Sequence, residues 1–133
     1  MGLDQYAFAI NKSSKDLIER FNNGESDFTP EEKSKIEKGQ LLLAQWRKHP
    51  NLQQWVIDHF GLNHDFNGSS DVYFSKEDLD MLEEAVLKDD LPLGVGFFWG
   101  VSTPEDKKTD LRFIKNARKA LKDGFDVTYE CSW

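Results

Sequence analysis

Residues 103–133, TPEDKKTDLRFIKNARKALKDGFDVTYECSW, decide the fold because they contain a complete helix signal followed directly by a strand signal. The capping box Thr103-Pro104-Glu105-Asp106 predicts where the helix begins, and Gly124 predicts where it ends. The apolar stripe of this helix consists of Leu111, Ile114, Ala117 and Leu121. The strand alternates between two faces, and its apolar face carries Val127, Tyr129, Cys131 and Trp133.

Two earlier capping boxes predict helices in the first two thirds of the chain. Thr29-Pro30-Glu31-Glu32 begins a helix whose apolar spacing continues to Trp46, and His49-Pro50 ends it. Asn51 is the predicted cap of a second short helix. The box Ser75-Lys76-Glu77-Asp78 begins a helix whose buried stripe is Leu79, Leu82 and Val86.

Three further segments predict strands. Residues 5–10 alternate with period 2, and residues 72–74 form a short strand. Residues 93–101 carry the strongest strand signal, in which Val95, Phe97, Trp99 and Val101 share one face. Glycine weakens a strand, so the glycines on the other face indicate that a helix backbone or, as the alternative, a ligand lies very close. These glycines are Gly94, Gly96 and Gly100.

The pattern predicts an α+β fold with a small, mostly antiparallel sheet of three or four strands and helices packed on it. Strands do not alternate regularly with helices, which argues against a doubly wound parallel sheet. The length of 133 residues suits one domain, residues 1–133, with a single core. The sequence leaves the oligomeric state open.

Charge and hydropathy narrow the classes of partner. The net charge is −7, and residues 51–106 alone carry −10, while residues 107–133 carry +3. An acidic chain repels phosphate, so we expect no nucleic-acid partner. No apolar run reaches the roughly 18 residues of a membrane span, so we expect no membrane partner. The acidic middle is a solvated face or, alternatively, a surface that docks on a basic protein.

Residues with metal or nucleophile chemistry are few and badly spaced. Cys131 is the single cysteine and lies on the apolar face of a predicted strand, which indicates an inert buried thiol. His59 and His64 are separated by a helix-breaking glycine, which does not suit zinc. The Asp65–Asp71 stretch resembles a calcium loop only vaguely and is interpreted as a polar turn. We therefore predict no metal, no cofactor and no catalytic residue.

Five residues are the candidates for a ligand or partner surface: Asp4, Tyr6, Trp46, Arg47 and Trp99. Asp4 stands beside Tyr6 in the sequence, and Arg47 stands beside Trp46. A structural ion pair between Asp4 and Arg47 is the alternative, because such pairs are common and are not diagnostic of function.

Four stretches carry a family resemblance: residues 1–6 (MGLDQY), 46–48 (WRK), 96–100 (GFFWG) and 129–133 (YECSW). In this order they resemble a family of small uncharacterised proteins found mostly in bacteriophage genomes and marine viral sequence. The relatives end in Tyr-Gln-Ser-Ser-Trp, whereas this chain has Glu130 and Cys131, and they have a phenylalanine in place of Trp99. The resemblance implies a location in the cytoplasm of an infected host cell, and it implies no reaction.

Two functions of different classes fit these observations. The first is a phage-type accessory protein that acts by binding a host or phage protein. The alternative is a small-ligand-binding protein or a hydrolase with a pocket near the segment from Gly94 to Gly100. A first segment without the basic and apolar regions of a signal peptide, together with a single cysteine, also predicts the cytoplasm.

Overall fold

The structure is a computed structural model that describes residues 2–96 and 99–133, with the backbone alone for residues 69–71. Its strands are β1 (Asp4–Asn11), β2 (Gln40–Arg47), β3 (Gly68–Tyr73) and β4 (Phe125–Ser132). They form one antiparallel sheet in the order β2-β1-β4-β3. The helices in the described residues are α1 (Lys15–Asn22), α2 (Pro30–Gly39), α3 (Pro50–Phe60), α4 (Lys76–Leu87) and α5 (Pro104–Lys122). The predicted α+β class with an antiparallel sheet is confirmed.

The two central strands divide the molecule into two sides. On β1, Gln5, Ala7 and Ala9 are fully buried, whereas Tyr6 and Phe8 are only partly buried. The predicted alternation of β4 is confirmed, and its inward residues are Val127, Tyr129 and Cys131. We call the buried side, which faces α5, the inner face and the other side the outer face. A period of two residues thus assigns neighbouring side chains to different environments.

The three capping boxes begin helices where the sequence places them. Thr29 begins α2 and Ser75 begins α4, each with a reciprocal bond to the residue three positions later. Thr103 begins α5, and its N–H and hydroxyl both donate to the carboxylate of Asp106. Along α5 the fully buried apolar residues are Phe113, Ile114, Ala117 and Ala120. The predicted stripe was displaced, since Leu111 and Leu121 are only partly buried. Helix starts are local hydrogen-bonding events, which explains why sequence locates them well.

The predicted helix that begins at Thr29 and ends at His49-Pro50 is wrong over its second half. Helix α2 ends at Gly39, and residues 40–47 form β2, which pairs with residues 4–10 of β1. A Cβ at Gly39 would lie 2.8 Å from the Cβ of Ser14, so glycine allows the chain to turn closely past the 3-10 turn Lys12–Ser14. Strand pairing and this close approach outweigh the helical spacing of the apolar residues.

The strand predicted over residues 93–101 is also wrong. Its described residues lie outside any helix or strand, and Trp99 N–H donates to the carbonyl of Gly96 at 3.2 Å. Trp99 is buried, whereas Val95 and Val101, predicted on the same face, are 70% and 80% exposed. Phe97 and Phe98 lie outside the described residues. A Cβ at Gly94 would lie 2.0 Å from the carbonyl oxygen of Pro50, so the close helix backbone expected from the glycines is present at this position.

The polar turn predicted for Asp65–Asp71 is wrong from Gly68 onward, because Gly68–Tyr73 is a strand that pairs with β4.

Within residues 2–96 and 99–133, no helix combines the length and the apolar character that crossing a bilayer requires.

Deletion of residues 131–133 should destabilise the protein strongly. Strand β4 lies between β1 and β3, Cys131 is buried, and the indole Nε1–H of Trp133 donates to the carbonyl of Phe66 at 2.7 Å. The deletion also removes Trp133, which is partly buried and packs on the core. Truncation of a fully buried tryptophan costs about 3–5 kcal/mol, which is the upper limit for this side chain, and chemical denaturation will measure the loss. Ser132→Ala is the control, since Ser132 is exposed. A deletion variant as stable as this control would contradict the central position of β4.

Candidate functional site

The site begins at the sharp turn between β2 and α3. Lys48 has a φ of 57°, an uncommon conformation for a residue with a side chain, and its N–H donates to the carbonyl of Leu3 at 2.7 Å. Pro50 then starts α3 at the first helical position. Between them stands His49, which is 2% exposed. The turn therefore directs an imidazole into the protein interior.

His49 joins a serine to a buried carboxylate. Its Nδ1 lies 2.7 Å from the Oγ of Ser102, and its Nε2 lies 2.9 Å from the Oδ2 of Asp110. Ser102 directly precedes the cap of α5, and Asp110 lies on α5 itself. A nucleophile, a base and an orienting acid in this order form the arrangement of a catalytic triad.

Asp110 is 1% exposed, so its charge depends on its hydrogen-bond donors. Burial raises the pKa of this carboxyl, while the bonds from His49 and from the indole of Trp46 act in the opposite direction. The Trp46 Nε1–H donates to Oδ1 at 2.9 Å. Each carboxylate oxygen thus has a strong donor, which is what a buried carboxylate needs in order to remain ionised.

The hydrogen-bond pattern also indicates the tautomer of His49. With Asp110 ionised, Nε2 carries the proton, and Nδ1 is left to accept a bond from the Ser102 hydroxyl. The backbone N–H of Asn51 donates to the Ser102 Oγ at 3.2 Å, so that oxygen is already an acceptor there. The serine proton is therefore directed at the imidazole. Asp106 lies near the same ring, with its Oδ2 3.7 Å from Nδ1.

A cavity of about 330 Å³ opens above these groups. Its polar wall is formed by His49, Asn51, Ser102, Thr103, Lys107, Asp89 and Asp110, and its apolar wall by Val86, Leu91 and Pro104. The Nζ of Lys107 pairs with the Oδ1 of Asp89 at 3.0 Å. A small cavity with a few convergent polar groups is the usual form of a small-molecule site.

A buried polar network holds His49 from behind. The side chain of Gln5 accepts from His49 N at 2.9 Å and donates to His49 O at 3.1 Å. The same amide donates to the hydroxyl of Tyr129 at 2.9 Å, and that hydroxyl donates to Gln53. Burial raises the pKa of Tyr129 well above its ordinary value, so the phenol remains a donor. The network fixes the backbone of His49 to the inner face of the sheet.

Cys131 ends this network and behaves as the sequence analysis predicted. Its Sγ accepts from Gln53 Nε2 at 3.2 Å and is 2% exposed. Burial raises the pKa of the thiol, which lowers its fraction of reactive thiolate. The prediction of a buried thiol is confirmed.

The five residues proposed from the sequence do not meet in one place. Asp4 on β1 and Arg47 on β2 form an ion pair of 3.6 Å, which is the structural alternative that the sequence analysis left open. Tyr6 lies on the outer face. Trp99 is buried and packs edge-on against Trp133 with 5.5 Å between ring centroids. Trp46 alone contacts the His49 site, through Asp110.

Sequence reasoning missed the three central residues. It considered His49 as the residue that ends a helix, and Ser102 lay next to a capping box without a role of its own. Asp110 stood among the charges of α5. Fifty-three and 61 residues separate His49 from its two partners, and no local pattern connects residues at that distance. The His-Pro turn before a helix was the one available signal.

Among the described residues, no group of three His, Cys, Asp or Glu side chains is placed to hold a metal ion. The two carboxylates beside His49 are near different ring nitrogens.

The basic face of α5 is exposed, as predicted, at Lys108, Arg112, Lys115, Lys119 and Lys122.

Comparisons with family models, curated proteins and solved structures found no match to this chain.

The basic face of α5 should not bind nucleic acid. The net charge of −7 opposes phosphate binding despite this local stripe. We expect no shift of duplex DNA or of RNA in gel electrophoresis at micromolar protein and low salt. Submicromolar binding that weakens steeply with added salt would contradict this prediction.

Tyr129→Phe should destabilise the protein by about 1–3 kcal/mol, because Gln53 loses a buried hydrogen-bond donor. Urea denaturation measures the change. Tyr6→Phe is the matched control, since Tyr6 is on the outer face and its hydroxyl has no hydrogen bond to any side chain that the structure describes. Equal stability of the two variants would show that the network carries little energy.

Proposed function

We propose that this protein is a small hydrolase in which Ser102 attacks the carbonyl of an acyl substrate, an ester being the simplest case. One observation carries the proposal. The Ser102 Oγ, both ring nitrogens of His49 and the Asp110 carboxylate form a continuous chain with steps of 2.7 Å and 2.9 Å. This chain lies in the wall of a cavity, where a substrate can reach the serine.

In the proposed reaction His49 is the general base. Its Nδ1 takes the proton of Ser102 as Oγ attacks, and the resulting imidazolium is stabilised by Asp110 at Nε2. The ester C–O bond then breaks, and the imidazolium gives its proton to the leaving alcohol. Water, deprotonated by His49, attacks the acyl group on Ser102, and the imidazolium returns the proton to Oγ as the carboxylic acid is released. Asp106, 3.7 Å from Nδ1, adds a second negative charge near the ring. The two ring nitrogens have exchanged roles relative to the serine-protease template. The proton transfer is equivalent, because either nitrogen of a neutral imidazole can be the acceptor.

Charge that develops on the substrate oxygen needs a donor. The Asn51 N–H, in the first turn of α3, lies 3.2 Å from the Ser102 Oγ. This amide can shift from the serine to an oxyanion formed beside it, and the positive end of the α3 dipole supports that charge. Asn51 is itself held in place, because its Oδ1 accepts from Gly94 N at 3.0 Å.

The cavity indicates a small substrate. About 330 Å³ is near the lower limit of ordinary small-molecule pockets. Val86, Leu91 and Pro104 form an apolar wall for a short acyl chain. The Lys107–Asp89 pair lies at the same cavity, where it can contact a polar end of the substrate.

A second function, the binding of a host or phage protein, is favoured by a different observation. The loop between α4 and α5 exposes Leu93, Val95 and Val101 at 80%, 70% and 80%. Exposed apolar residues on one loop are typical of interaction sites. If this function is correct, a Val95→Asp, Val101→Asp double variant should retain its fold and lose a partner that the parent captures from host lysate. An unchanged set of captured proteins would contradict it.

Ser102→Ala should abolish reaction with a fluorophosphonate probe, which labels activated serines and is detected by intact mass. Hydrolysis of a p-nitrophenyl ester should fall by about a hundredfold or more. Activity should also fall as the pH is lowered through the raised pKa of Asp110, because the protonated acid no longer stabilises the imidazolium.

The control for this test is Ser132→Ala, which removes an exposed serine on β4. The control should label and hydrolyse like the parent. Ser102 is only partly buried, so thermal melting should show both variants folded. A folded parent that does not react with the probe, or a Ser102→Ala variant that labels normally, would refute the hydrolase.

A further inference from the structure

A second cavity lies on the outer face of the sheet, on the opposite side from Ser102. Its volume is about 300 Å³, and it runs between α1 and the three strands β1, β4 and β3. Its lining includes the aromatic, charged and hydroxyl-bearing residues Phe8, Lys15, Glu19, Tyr73, Thr128 and Glu130. None of them takes part in the His49 site, so this groove is a separate feature of the fold.

The unusual group in the groove is Glu130. It lies on the central strand β4 and is partly buried, and burial raises the pKa of its carboxyl. No hydrogen bond or ion pair reaches this carboxylate from the side chains that the structure describes. Desolvating a carboxylate without a partner is unfavourable, so an incoming cation would gain a poorly solvated counter-ion.

Two aromatic residues of β1 lie on the same face of the sheet as this carboxylate. Tyr6 is the register partner of Glu130 on β1, and Phe8 is that of Thr128, so the two rings are on the same face as the carboxylate. The rings of Tyr6 and Phe8 stack, with centroids 6.3 Å apart and planes inclined by 18°. Faces of aromatic rings attract cations.

The chain itself already places one ammonium on an aromatic ring of this groove. The Nζ of Lys15 lies 4.6 Å from the ring centroid of Tyr73. The pKa of Lys15 is raised, first by its hydrogen bond to Tyr73 and also by the charges of Asp126 and Glu19. One end of the groove thus holds a cation from the chain, and the end with Glu130 has none from the described residues.

We propose that the groove binds a primary ammonium or guanidinium group carried on an alkyl chain, with Glu130 as its counter-ion and Phe8 as its aromatic wall. The charges facing the cavity, Glu19 and Glu130 against Lys15, favour a cation over an anion. A bare metal ion fits poorly, because no group of three His, Cys, Asp or Glu side chains among the described residues is placed to hold one, whereas calcium requires six or more oxygens. Ile18 and Val72 offer apolar contact for the alkyl chain.

Nuclear magnetic resonance titration of the full chain with n-butylammonium tests the proposal. Amide signals of residues 8, 128 and 130 should shift, and n-butanol, which has the same chain without the charge, should bind much more weakly. Glu130→Gln should weaken n-butylammonium binding by about tenfold or more. The matched control is Glu37→Gln, an exposed acid on α2, which should leave the affinity unchanged.

Two further arms distinguish the source of the cation. If a free diamine such as cadaverine binds more tightly than a short peptide with one internal lysine, the natural cation is a metabolite. If the peptide binds more tightly, the natural cation is a protein side chain. Ser102→Ala should bind n-butylammonium like the parent, which separates this site from the proposed hydrolase. Equal affinity in Glu130→Gln and the parent, shifts confined to another surface, or equal binding of n-butanol would overturn the proposal.

Discussion

The buried carboxylate of Asp110 connects three parts of the structure that are distant in sequence. It accepts one bond from Trp46 on β2 and one from His49 at the start of α3, and it belongs to α5 itself. A buried charge is tolerated only where donors replace its lost hydration, and removal of one partner of such a charge is strongly destabilising. The packing of α5 against the end of β2 therefore depends on these bonds, and so does the orientation of the imidazole.

The two proposed sites both follow from the alternation of the central strands. Inward residues of β1 and β4, Gln5 and Tyr129, form the network that positions His49. Their outward neighbours, Tyr6 and Glu130, are adjacent in register on the other face. The antiparallel pair β1 and β4 thus contributes to a buried polar network on the inner face and to a groove on the outer face. In the core site the buried polar atoms are paired, whereas in the groove none of the side chains that the structure describes pairs with the Glu130 carboxylate.

Sequence patterns succeeded where local chemistry decides structure. The capping boxes at Thr29, Ser75 and Thr103 begin helices because the cap and the third residue of the helix bond to each other within one turn. The alternation of apolar and polar residues along β4 could also be predicted from the sequence, because a half-buried strand has a period of two residues. The patterns failed for residues 40–47, where an apolar run fits a helix and a strand equally well, and pairing with β1 decided the outcome.

By itself the sequence determined the α+β class, the starts of three helices, the buried C-terminal strand and the exposed basic face of α5. Each of these depends on contacts within a few residues or on a simple periodicity. Tertiary structure alone decided that the described residues between 93 and 101 form no strand, because Gly94 accommodates the backbone of Pro50 and Gly96 accommodates the ring of Trp99. It alone also brought His49, Ser102 and Asp110 together. Their hydrogen bonds span 53 and 61 residues, and only the packing of α5 on the sheet closes that distance.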